Sequence, residues 1–97
     1  MSANDALEGV DFDYECRKML KDELHRHGLT YRGLAELLQG AGMDETEKSI
    51  AHKALRGTFR MSFFLQVLRV LGTTKLVVQV PMSKNDIERS VTSFHEA

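Results

Sequence analysis

The sequence predicts a mainly α protein: four helices, then one β-strand at about 75–80 and a short C-terminal helix. Three observations predict it. Apolar residues recur at helical spacing in four successive blocks. Glycines at 28, 40, 42, 57 and 72 close those blocks, where a left-handed residue ends a helix. A Ser, Thr or Asp stands where each block begins, ready to accept a bond from the first free amides.

Residues 1–10 carry few apolar side chains and no period, so they read as a disordered N-terminal arm. Asp11 or Asp13 caps the first helix, whose apolar face is Phe12, Cys16, Met19, Leu20 and Leu24. Gly28 stops it. His25 and His27 sit two apart, on different sides of a helix, and read as a solvated last turn. Thr30 caps the second helix, with Leu34, Ala35, Leu37 and Leu38 as its buried stripe. Tyr31 and Arg32 fall in its exposed first turn, where amides and an arginine suit a phosphate.

The third helix runs between Asp44 and Gly57. Asp44 followed by Glu47 reads as a capping box. On a helical projection Lys48, Ser49, His52, Lys53 and Arg56 share an arc of about 140°. Ile50, Ala51, Ala54 and Leu55 take the opposite arc and are expected in the core. After a short connection, Ser62 is expected to cap a fourth helix, Phe63 to Leu71, apolar on nearly every side. Such a helix needs cover all round, and a second subunit is one source of it. The β-branched run from Lys75 to Val80 reads as a lone strand, which needs a partner. The same strand of another copy supplies one about a two-fold axis. Ser83 and Asp86 open a final helix with Ile87, Val91 and Phe94 on one face. The domain reading is therefore 1–10 as a disordered arm, 11–72 as the four-helix domain and 73–97 as a strand-and-helix extension for dimerisation.

Length and composition bound the rest. Ninety-seven residues allow one small domain. No apolar run approaches the roughly 18–20 residues that span a bilayer, and the first residues lack a secretory pattern. One cysteine, Cys16, makes no internal disulfide and suits a reducing cytoplasm. The net charge of −1 hides a strong segregation. Residues 1–47 hold eleven acids and five bases, whereas 48–85 hold seven bases and no acid. A polyanion-binding face needs that local excess, not a basic total.

The ordered words Gly28-Leu29-Thr30, Leu34-Ala35-Glu36, Ser49-Ile50-Ala51, Leu55-Arg56-Gly57, Phe64-Leu65 and Leu68 to Gly72 resemble the lambda-repressor-like, or Xre-type, helix-turn-helix family. More narrowly, the run from Leu20 to Gly72 looks like a small bacterial domain family of unassigned function. The resemblance implies a recognition helix around Thr46 to Leu55, with Lys48, Ser49, His52 and Lys53 approaching bases or phosphates in a major groove. It implies backbone contacts from Arg56, Arg60, Tyr31 and Arg32. Three departures stand out. Tyr31 replaces a common Gln, the link between the second and third helices is long, and Glu45 projects onto the cationic face.

The expected function is sequence-specific binding of double-stranded DNA by a homodimer, in transcription regulation. The dimer is expected through the Leu76–Val80 strand, the fourth helix or the C-terminal helix. The alternative is a protein-interaction module on the same scaffold, antitoxin-like or an anti-regulator. No catalytic pair, metal-ligand spacing, phosphate loop, cofactor motif or small-molecule site is legible, so an enzyme is not expected.

Overall fold

The computed structural model describes residues 9–82. Four helices lie among them: α1 (Phe12–Arg26), α2 (Tyr31–Gly40), α3 (Glu47–Arg56) and α4 (Met61–Leu71). Asp13–Val77 form one compact unit. Each helix gives apolar side chains to a single core: Leu20 and Leu24 from α1, Leu34, Ala35 and Leu38 from α2, Ile50 and Ala54 from α3, and Phe63, Phe64, Val67 and Leu68 from α4. Leu20, Leu34, Leu38, Ile50 and Val67 are sealed from water. Full burial of side chains of this kind contributes about 1.5–3 kcal/mol each. α2 packs against both α3 and α4.

The helix ends repeat one device. After α1, α2 and α4 the chain closes with paired bonds, such as Leu29 N–H to the Leu24 carbonyl at 2.9 Å and Gly28 N–H to that of His25 at 3.0 Å. The same pairing recurs at Gly42–Met43 and Gly72–Thr73. Thr30 caps α2 as expected, accepting from the Gly33 amide at 3.1 Å.

Several expectations need correction. The cap of α3 is Thr46, not Asp44, and its capping-box partner is Ser49, not Glu47. The helix starts only after Glu45 has turned inward, so Asp44 lies too early to cap it. α4 begins at Met61 after Arg60, which makes no side-chain cap bond, so Ser62 is a first-turn residue. Phe59 packs against the rings of Phe63 and Phe64, both at 5.9 Å, and draws this connection tight. Leu37 is 41 % exposed, because Leu34, Ala35 and Leu38 already fill the α2 stripe. Phe12 is exposed as well, while Tyr31 is half-buried against the core. Residues 75–80 form no strand, and no other strand lies among the described residues to complete a ladder. The expected C-terminal helix and most of the expected arm lie outside the described residues.

One contact holds the C-terminal end of α3. Gly57 is buried, with φ of +66°, and a Cβ there would lie 1.9 Å from the Asp13 carbonyl oxygen. The end of α3 thus abuts the backbone of the first turn of α1. Gly57→Ala meets both the left-handed conformation and a backbone clash. It is expected to cost about 2 kcal/mol or more in chemical denaturation, whereas Gly40→Ala, with open space around it, leaves the midpoint unchanged or raised.

Candidate nucleic-acid interface

α3 presents Glu47, Lys48, His52, Leu55 and Arg56 to solvent, with Ala51 half-buried. Ile50, Ala54 and the following Gly57 face inward. The exposed arc is therefore rolled by roughly 80° from the one read off the sequence. Of the five α3 residues expected to face DNA, Lys48, His52 and Arg56 remain in the open, whereas Ser49 and Lys53 turn to the flank. Leu55, expected in the core, is 67 % exposed.

Glu45 explains the two that turned. It precedes the helix, so the helical projection that put it on the cationic face does not apply. The residue is only 8 % exposed. One carboxylate oxygen accepts the Ser49 hydroxyl at 2.7 Å, and the other pairs with the Lys53 ammonium. The Ser49 oxygen also accepts the Thr46 amide at 2.8 Å, while the Ser49 amide donates to the Thr46 hydroxyl at 3.1 Å. The Ser49 hydroxyl is thereby committed to the cap. The Lys53 ammonium stands 4.5 Å from the Phe63 ring centroid, a cation–π distance. The long link is not a free loop. Gln39 donates to the Glu45 carbonyl at 2.7 Å, and Met43 packs on the core.

Next to the C-terminal end of α3 lies a hollow of about 340 Å³. His52, Lys53, Arg56 and Arg60 border it, with Phe59 and Phe63 as apolar lining. It lies beside the start of α4, and Arg56 and Arg60 bring cationic groups to it. An anion is suited to it by charge. Arg60, expected near a phosphate, is part of this group. Tyr31 and Arg32 are not. Tyr31 lines a separate hollow with Lys21, Leu24 and His25, and Arg32 is exposed, 3.9 Å from Glu36.

A second polar cluster was not legible. Glu23 in α1 is 3 % exposed and pairs with Arg26. It also accepts the Thr73 hydroxyl at 2.5 Å, and His27 lies 3.4 Å away. The end of α1 is thus tied to the chain leaving α4, and His27 does more than fill a solvated turn. Glu23 and Thr73 are fifty residues apart in sequence, so no local pattern announces their bond. Among the described residues no three His, Cys, Asp or Glu side chains are grouped to hold a metal ion, and no helix is long and apolar enough to cross a membrane.

The cap and the ion pair generate one prediction. Thr46→Ala is expected to lower stability by about 1 kcal/mol. A double-mutant cycle of Glu45→Gln and Lys53→Met, read by urea unfolding, is expected to give a coupling of about 1 kcal/mol, above that of most surface pairs. Additive single effects would show that the pair is idle.

The model of a family described as a domain of unknown function (DUF6471) matches residues 12–76, about two thirds of the chain. No curated protein and no solved structure gives a match.

Proposed function

The chain belongs to the DUF6471 family, and on that premise we propose that it is a sequence-specific double-stranded DNA-binding protein of the helix-turn-helix type. α2 and α3 form the reading pair, with α3 in the major groove. The observation that carries this reading is the solvent face of α3. Lys48, His52 and Arg56 line one edge of it and lead into the hollow bordered by Arg60. Three long cationic or hydrogen-bonding side chains on consecutive turns match the groove's pattern of acceptors and flanking phosphates. Arg56 and Arg60 contact the DNA backbone. Tyr31 and Arg32, at the start of α2, make a second backbone contact. Ser49 and Lys53 hold the helix in place, and neither reads bases.

The protein acts as a cytoplasmic regulator of transcription, binding an inverted repeat as a homodimer. Val77, Val78 and Val80 are 77, 46 and 61 % exposed, and such a β-branched run in water favours pairing with a second copy. Light scattering is expected to give twice the 11.0 kDa of one chain. Met61 and Leu65 on α4 are also exposed, at 60 and 53 %. They favour the second reading, a protein-interaction module on the same scaffold. A stoichiometric protein partner with no affinity for any duplex would decide for it.

Duplexes selected from a random pool test the first reading. Affinity is expected to fall steeply with salt, about one log unit of binding constant per log unit of salt for each phosphate neutralised. Arg56→Ala and Arg60→Ala are each expected to reduce that slope by about one. Lys53→Ala is expected to leave the slope nearly unchanged, because its charge is already met by Glu45. No bound duplex at low salt would sink the proposal.

A further inference from the structure

The face of α3 carries an apolar edge that no charge argument uses. Leu55 and Ala51 lie to one side of Lys48 on the helical projection, and His52 and Arg56 lie to the other. A single exposed leucine is ordinary on a protein surface. This one is held out by the fold. Ile50 and Ala54 fill the core side of α3, and Gly57 abuts the Asp13 backbone, so the helix has no roll that buries Leu55. Its polar neighbours on the exposed arc are Lys48, His52 and Arg56, and Glu47 stands beyond Ala51 at the start of the helix.

A ligand for such a face must combine negative charge with an apolar group a few ångströms away. The major groove of duplex DNA does so: phosphates line its walls, and among its base edges the C5 methyl of thymine is the apolar group. We propose that Leu55, flanked by Ala51, reads thymine methyl groups and is a specificity-determining residue. The inference rests on the DNA-reading role of α3 proposed above. The charge of Lys48 and Arg56 and the hydrogen-bonding ring of His52 argue for DNA as the occupant over an apolar protein surface, which would leave those groups without partners.

Replacing thymine by uracil removes the methyl and keeps the base pairing. Burial of one such carbon is worth about 0.8 kcal/mol, or about fourfold in affinity. The experiment uses the full chain and a duplex selected from a random pool, with uracil replacing each thymine in turn. For the natural sequence, one or two positions are expected to weaken binding by about three- to tenfold. Leu55→Ala is expected to bind the thymine duplex about as weakly and to lose nothing further on uracil. Its thermal unfolding is expected to be unchanged, since the side chain stands in water. Uracil without effect at every position overturns the proposal, as does a uracil penalty that persists in full in Leu55→Ala. A flat uracil series together with a changed oligomeric mass for Leu55→Ala assigns the leucine to a protein contact and also overturns it. In both cases DNA binding itself survives. Failure to bind any duplex fails the DNA reading of α3 as a whole, a different result from a flat uracil series.

Discussion

The Glu45 carboxylate lies at the entrance to α3, accepting the Ser49 hydroxyl at 2.7 Å and pairing with the Lys53 ammonium. Much of the fold around the candidate interface depends on it. A carboxylate buried to this degree is costly unless both oxygens are satisfied. Ser49 and Lys53 satisfy them, and in doing so they must sit on one flank of the helix. That flank sets the direction of the remaining side chains. Thr46 becomes the cap because Glu45 has turned in, and Ser49 completes the box because it is already there.

The far end of α3 is constrained independently. Gly57 lets the backbone turn left-handed against the Asp13 carbonyl. Helix roll is a single degree of freedom, and two anchors at opposite ends overdetermine it. Lys48, His52, Leu55 and Arg56 are thereby presented on a rigid element, as a site that must hold its geometry requires. Lys53 also joins the interface to the core. Its ammonium pairs with Glu45 and stands 4.5 Å from the Phe63 ring centroid, which links the α3 flank to α4. At the other end of the unit, Glu23 does comparable work by tying α1 to Thr73.

Among the described residues the number, order and approximate limits of the helices were legible, because apolar period and glycine stops act over a few residues. Thr30 was legible as a cap for the same reason. The cap of α3 was misread by two residues. Asp44, Thr46 and Glu47 all carry capping oxygens, and only burial of Glu45 chooses among them. Ser62 was misread because ring contacts of Phe59 with Phe63 and Phe64 start α4 earlier. The β-branched run at 75–80 signalled a strand by propensity, yet a ladder needs a second segment, which propensity does not supply.

By itself the sequence determined that the third helix has a polar, cationic side and that residues 48–85 hold seven bases and no acid. It also determined that Lys48, His52 and Arg56 share one side, since their spacing of four is a property of any α-helix. Only the tertiary structure decided where that side points. It moved Ser49 and Lys53 to a buried carboxylate and brought Leu55 into the open. The physical reason is that helical periodicity specifies relative angles within an element, while the roll of the element is set by contacts from outside it: a carboxylate in the preceding link, and the backbone of α1 against Gly57.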